Sequence, residues 1–391
     1  MAYEGSKLEY NASVASQSMN DTAKLSISED GVAVTTLFTP LFIDFADIVS
    51  FERRGYSVVI ETEYDRFTFS GLGNLMEAFY LELYATFNRK VLKALFAKGD
   101  AAFEAEGEFR YSEPGAQAVG YARIRVYDDC VCLLPPDNRA RRIPFAFMNG
   151  LQKAGFTLTL SLDGGELYSF IRLGNNTAAF ESCIREKLHH LRENAVDAAR
   201  KLDGGLNPAQ LNAIAARMPQ GVAAPIGWLA LTAPSYVAAL EAKIGESRAA
   251  ETYAAFKEIC DPAQICVGMK SWLAGEQQED IPWFIAPSPG KPVAAVELAL
   301  DEDTAAATYM YNTVGSSDAF ARLLNRAMED VNFHREVIST PAEKLRGAEN
   351  GVYAMTVKCS AALRAVRACF AGRVIHSSPD AWKAEMLRFL R

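Results

Sequence analysis

A pattern of apolar and polar residues occurs twice along the chain, about a hundred residues apart, over 55–87 and 155–188. Each copy begins with alternating apolar and polar residues, passes through a polar turn and a short aromatic segment, and ends in a helical stripe after Gly-Asn. Alternation with a period of two predicts a strand with one buried face, and apolar residues at i, i+4 and i+8 predict an amphipathic helix. We therefore predict one strand–turn–strand–helix module that is present twice.

The recurring apolar positions are the candidate core of each module. The residues expected on one face of the alternating strand are Tyr56, Val58 and Ile60 in the first copy, and Phe156, Leu158, Leu160 and Leu162 in the second. The residues expected in the helical stripe are Phe79, Leu83 and Phe87, and then Phe180, Ile184 and Leu188. A stripe of this kind must bury against another surface, and the sheet formed just before it is the nearest one.

Both modules extend toward the N-terminus by further short alternating segments, which brings each to seven short strands followed by one helix. This order resembles the plan of pleckstrin-homology-like (PH-like) domains, and roughly residues 1 to 200 are similar to a tandem of them. Neither closing helix carries the tryptophan found in many members, so the resemblance is to the broad superfamily with its divergent bacterial and GRAM-type members. It implies an α+β fold with antiparallel strands in a partly open barrel or orthogonal sandwich.

The remainder of the chain divides into a helical connector and a further α+β unit. Asp-Gly-Gly ends the second long helix, and helical segments follow up to about residue 260. Strands then return, and a hairpin, Gly315 and an apolar stripe repeat the end of the module, so 261–335 is a candidate degenerate third copy. The predicted tail is helical over 353–370 and 379–390. The predicted units are 1–98, 101–203, 204–260 and 261–391.

Composition indicates an acidic cytoplasmic protein. The net charge of −8 and the pI near 5.3 disfavour unaided binding to nucleic acid. No stretch approaches the roughly eighteen apolar residues of a membrane-spanning helix, and the polar segment 1–20 gives no expectation of a secretory signal. The seven cysteines are odd in number and lie in apolar contexts, which favours buried thiols in a reducing compartment over a disulfide framework.

The sequence lacks the motifs of common catalytic and cofactor sites. It contains no phosphate-binding loop, no dinucleotide fingerprint and no cysteine or histidine pairs at zinc-site spacing, so we expect no metal and no cofactor. A non-catalytic protein is therefore the first expectation. An enzyme with a site in 260–391 is an alternative, and the polar residues that could converge there are Glu297, Tyr309, Tyr311, His334 and Glu336.

Two binding functions follow from the tandem units. The leading hypothesis is a scaffold or adaptor whose sheet edges and grooves beside the closing helices bind a protein or peptide by strand addition, a second copy of the chain included. The alternative is recruitment to anionic lipid, because PH-like domains that bind phosphoinositides use basic residues in loops between strands. Arg139, Arg141 and Arg142 are the candidate ligand-binding residues for that role, and a charge on a solvated edge strand is the competing explanation for Arg141.

Overall fold

Three antiparallel sheets of six or seven strands, with helices packed on them, form an α+β fold and confirm the predicted fold class. The computed structural model describes residues 9–37, 40–274, 277–298, 307–345 and 351–390, and within these it gives the backbone alone for 272–274 and 277–279. The gaps include part of the region assigned to the candidate third copy. We number strands and helices in chain order.

The first unit is a seven-stranded sheet closed by a helix. Its strands are β1 (Glu9–Ala15), β2 (Asn20–Ile27), β3 (Gly31–Thr35), β4 (Pro40–Asp44), β5 (Ile48–Arg54), β6 (Ser57–Thr62) and β7 (Arg66–Ser70), and its helix is α1 (Met76–Ala94). The order across the sheet is β4-β3-β2-β1-β7-β6-β5, so the first strand pairs with the last and β4 and β5 form the two edges.

The second unit repeats this topology. Its strands are β8 (Phe103–Glu113), β9 (Ala116–Val126), β10 (Cys130–Leu134), β11 (Arg141–Pro144), β12 (Met148–Ala154), β13 (Thr157–Leu162) and β14 (Leu167–Ile171), and its helix is α2 (Asn176–Leu202). The order β11-β10-β9-β8-β14-β13-β12 matches that of the first sheet position by position. Both fifth strands carry an irregularity at the same place, between Ile48 and Ser50 and between Met148 and Gly150. This topology is compatible with the plan that the PH-like resemblance implies.

The predicted core positions are buried, except at the start of each alternating strand and at Leu188, which is partly buried. Val58, Leu158, Phe79 and Phe180 are each 0% exposed. Tyr56 and its counterpart, by contrast, are 92% and 76% exposed, so their predicted burial is wrong. The glycine before each of them has a φ near +60°, as a tight hairpin turn requires, and the aromatic ring therefore lies at the hairpin tip rather than in the strand.

The connector is helical as predicted. Its helices are α3 (Pro208–Arg217), α4 (Ile226–Thr232), α5 (Pro234–Gly245) and α6 (Ala250–Ile259). Asn207 begins α3 with a capping box, in which its side chain accepts from the Ala209 and Gln210 N–H groups and Gln210 reaches back. These helices pack on one face of the third sheet together with the last helix of the chain, through residues such as Leu240 and Phe256.

The third sheet is a simple meander with helices on both faces. Its strands are β15 (Ala224–Pro225), β16 (Cys266–Ala274), β17 (Gln277–Pro287), β18 (Val293–Leu298), β19 (Ala307–Asn312) and β20 (Phe370–Ile375). The helices after β19 are α7 (Ser317–Asp330), α8 (Glu336–Ser339), α9 (Ala342–Leu345), α10 (Gly351–Cys359), α11 (Ala361–Cys369) and α12 (Pro379–Leu390). Each strand pairs with its sequence neighbour, so the order differs from that of the first two sheets. β20 lies in the tail, where helices alone were predicted.

Candidate functional site

The three arginines singled out in the sequence lie against carboxylates. Arg141 and Arg142 belong to β11 rather than to a loop, and they are 6% and 3% exposed. Arg141 Nε lies 2.8 Å from Glu113 Oε1, and Arg139 Nη2 lies 2.5 Å from Asp137 Oδ2. Burial alone would lower the pKa of Arg141, but the adjacent Glu113 carboxylate outweighs it and raises that pKa. Internal carboxylates thus occupy the donors that a lipid headgroup would need, and this arrangement does not favour the headgroup hypothesis.

Arg142 joins the three parts of the chain. Its Nη2 lies 2.7 Å from Asp129 Oδ2 and 3.5 Å from Glu329 Oε1 on α7, and its Nη1 donates to the Leu95 carbonyl at the end of the first unit. Lys270 Nζ lies 3.2 Å from the other oxygen of Glu329. Burial raises the pKa of Asp129, but the charge of Arg142 outweighs it, so that pKa lies below its usual value. These contacts give Arg142 an internal, stabilising position.

The residues proposed for an enzyme site do not converge. Glu297 is buried beside His376 rather than His334, and its Oε2 lies 3.2 Å from His376 Nε2. Thr308, also buried, donates its hydroxyl to Glu297 over 2.5 Å and accepts from Trp382 Nε1 over 2.9 Å. The same hydroxyl oxygen lies 3.0 Å from His376 Nε2, so the Thr308, Glu297, His376 and Trp382 side chains form one internal hydrogen-bond network. The cluster anchors α12 and the segment after β20 to the sheet.

The other candidates for that site serve packing. His334 stacks on Phe96 with ring centroids 4.7 Å apart, while Tyr309 and Tyr311 are buried in the core between the third sheet and α7. Glu336 begins the short helix α8. A cavity lined by residues that include Phe45, Phe87 and Met355 has a volume of about 10 Å³, which is room for one water at most.

A groove beside the closing helix of the first unit is filled by the second unit. β5 is an edge strand, but its Phe51 N–H donates to the Pro136 carbonyl over 2.9 Å, and its Val49 carbonyl accepts from the Asn138 N–H over 2.9 Å. Ser50 and Asp137 form an antiparallel bridge between these two hydrogen bonds. The segment 136–138, which connects β10 to β11, therefore adds to the first sheet as a short extra strand.

The helix wall of this first groove completes the contact. The Tyr84 hydroxyl on α1 donates to the Leu134 carbonyl over 2.6 Å and accepts from the Arg123 N–H over 3.0 Å. Burial raises the pKa of Tyr84 to about 12, so the hydroxyl stays protonated. The other wall residues are aromatic, since Phe51 packs edge-on against Tyr80 and Phe87. The filled groove is therefore an internal interface between the first and second units.

Strand β10 of the second unit lies at the interface with the first unit. All five of its residues are buried, because one face lies in the second core and the other packs on the first unit. Val131 and Leu133 belong to the second core, whereas Cys130, Cys132 and Leu134 belong to the first. The Cys130 and Cys132 sulfurs lie 3.9 Å apart on that interface, and both thiols are free.

The equivalent groove of the second unit is open. β12 pairs with β13 in the register that relates β5 to β6, which places the Leu151 N–H and the Asn149 carbonyl where Phe51 and Val49 bind the added segment. No backbone group within the described ranges hydrogen-bonds to this outer edge. Asn149 is exposed and Leu151 only partly buried, whereas Phe51 is 1% exposed.

The wall of the open groove is charged where the filled groove is aromatic. Counting from the matched Phe79 and Phe180, Glu181 takes the place of Tyr80 and Arg185 that of Tyr84. Lys153 Nζ lies 3.0 Å from Glu181 Oε2, and Arg185 Nη2 lies 2.9 Å from Glu181 Oε1. Hydrogen bonds from these two cations lower the pKa of Glu181. Charged walls suit a groove that faces water when it is empty.

Comparisons with known proteins place the chain in no family. The sequence matches no protein-family model and no curated protein. Among solved structures, the Spt16D–Pob3N heterodimer is similar over 40% of this chain and 84% of that chain, with 12% identity and a TM-score of 0.19. A likeness at that TM-score carries no argument about fold or function. Among the described residues, no helix is long and apolar enough to cross a membrane.

Proposed function

We propose that the chain is a non-catalytic scaffold that binds a partner protein through its second PH-like unit. An extended segment of the partner adds to the free edge of β12, between that strand and α2. The observation that carries the proposal is the contrast between the two grooves: β5 receives backbone from 136–138, and its counterpart β12 receives none among the described residues.

The filled groove supplies the geometry for the open one. A partner segment running antiparallel to β12 would accept from the Leu151 N–H and donate to the Asn149 carbonyl, as Pro136 and Asn138 do on β5. Each such hydrogen bond contributes about 0.5–1.5 kcal/mol net. Two of them give micromolar affinity only together with apolar burial, and Leu151 and Leu188 are partly buried residues available for it.

In this proposal the first unit has a structural role, because it packs against the second unit and fixes its position. Its groove at β5 is occupied within the chain, so of the two equivalent grooves the one beside β12 is free of backbone partners among the described residues. This arrangement suits a cytoplasmic adaptor with one partner per chain. A second copy of the chain as that partner is one of the outcomes of the test.

The test removes the Leu151 N–H without disturbing the ladder to β13. Proline is tolerated where a strand's N–H faces outward from a sheet edge, so Leu151→Pro should fold and lose one of the two outward hydrogen bonds. Leu151→Val keeps the N–H and is the matched control. We expect affinity capture from the native cell, followed by mass spectrometry, to recover a stoichiometric partner with wild type and L151V and to lose it with L151P. Equal recovery by L151P would refute strand addition at β12.

A further inference from the structure

The charged wall of the open groove indicates which kind of segment it binds. We propose that the partner segment is acidic and places an Asp or Glu side chain against Arg185 and Lys153. This inference rests on the proposed function and adds the chemistry of the partner to it.

The groove carries an excess of positive charge at this point. Two cations, Lys153 and Arg185, share the single carboxylate of Glu181, and no other ion pair involves either cation among the residues that the structure describes. The Lys153 and Arg185 side chains are 40% and 59% exposed. Arg185 directs two of its nitrogens, Nε and Nη2, to Glu181 Oε1. A guanidinium has five N–H donors, so donors remain for a second carboxylate.

The filled groove fixes where that carboxylate would lie along the segment. In that groove Asp137 lies opposite Ser50, and the Tyr84 hydroxyl donates to the carbonyl of Leu134. Leu134 is three positions before Asp137. Arg185 occupies the place of Tyr84 on α2. We therefore expect the acidic residue about three positions before the partner residue that lies opposite Gly150. A longer donor than tyrosine reaches a side chain at that position as well as a backbone carbonyl.

The attraction between Arg185, Lys153 and an acidic segment acts only at short range. The chain as a whole carries a net charge of −8. At long range this charge repels an acidic segment, and at short range the exposed cations are screened by salt. The effect on affinity is therefore modest: exposed ion pairs of this kind change binding about two- to fivefold each.

The experiment selects random short peptides displayed on phage against the full chain, with counter-selection on L151P. Selected peptides are then measured by fluorescence polarisation against wild type, Arg185→Glu and Arg200→Glu. R200E makes the same charge change on the same helix but at its C-terminal end, where Arg200 pairs with Asp197. We expect selected peptides to share an acidic residue at a fixed position. The affinity of these peptides should fall by about two- to fivefold or more with R185E, and it should also fall when salt is added. It should not change with R200E.

The outcomes separate this inference from the function on which it rests. Selected peptides that depend on the Leu151 N–H but carry no acidic residue, or that bind R185E as well as wild type, overturn the acidic preference and leave strand addition standing. A selection that yields no peptide dependent on Leu151 overturns both. Selection on R185E that instead enriches lysine-containing peptides supports the charge pairing directly.

Discussion

Replacing Arg142 by alanine tests whether the basic cluster serves the fold or a ligand. Its side chain is 2% exposed and lies between the Asp129 carboxylate and Glu329, and it also donates to the Leu95 carbonyl. Removing one partner of a buried ion pair costs about 3–5 kcal/mol, because the charge that remains is left buried and uncompensated. Glu329 keeps Lys270 as a partner, so we expect the lower end of that range, about 3 kcal/mol.

Arg139→Ala is the matched control within the same cluster. The Arg139 side chain is 41% exposed, and Asp137 retains the hydrogen bond from the Arg139 backbone N–H. Although the Asp137 carboxylate is buried, this remaining donor and the exposure of Arg139 should limit the cost to about 1–2 kcal/mol, below that of R142A. The double variant Asp129→Asn with Arg142→Met removes both charges, and it should recover part of the stability that R142A loses.

The assay is urea unfolding followed by far-UV circular dichroism, with the midpoint and slope read for each transition, since a chain of several units need not unfold in one step. If R142A and R139A lose equal stability within about 0.5 kcal/mol, Arg142 is not an internal counterion. Arg142 would then again be a candidate for binding a lipid headgroup.

Two further outcomes test the cores and the response to acid. Phe79→Ala and Phe180→Ala each remove a ring that is 0% exposed, so both should cost about 3–5 kcal/mol in urea unfolding, and a loss near zero for either would contradict the matched cores. The pKa of Asp129 is lowered by Arg142, so its stabilisation is present above the unfolded value of 3.8 and is lost as the pH falls through the folded pKa. Asp129→Asn should therefore be less stable than wild type at pH 7 and lose less stability between pH 5 and 3; parallel pH curves would contradict this.

The sequence pattern predicts the repeated module because burial on one face imposes a fixed period on both strand and helix. Phe79 and Phe180 occupy equivalent buried places for that reason. The same rule fails at Tyr56, where the alternation begins in the sequence while the backbone is still in the turn at Gly55 and the strand starts only at Ser57. The alternation rule also does not predict β20, because its partner strand β19 lies far away along the chain.

The site was only partly accessible from the sequence. The sequence could predict that a partner binds by strand addition at a sheet edge. It could not predict which edge is free, because that depends on how the two units pack against each other. The docking segment 136–138 carries no motif, and the one available signal was β10, whose five apolar residues do not alternate. The burial of Arg141 could not be predicted for a related reason, because its partner Glu113 lies 28 residues away on another strand.

Amide hydrogen exchange at Phe51 and Leu151 tests the central claim, that one groove is filled by the chain and its counterpart is free. The Phe51 N–H is bonded to the Pro136 carbonyl, so it should exchange slowly, whereas the Leu151 N–H should exchange near its intrinsic rate in the isolated chain. Adding a selected peptide should then slow Leu151 and leave Phe51 unchanged. Leu151 as slow as Phe51 without any partner, or Phe51 as fast as Leu151, would contradict the account.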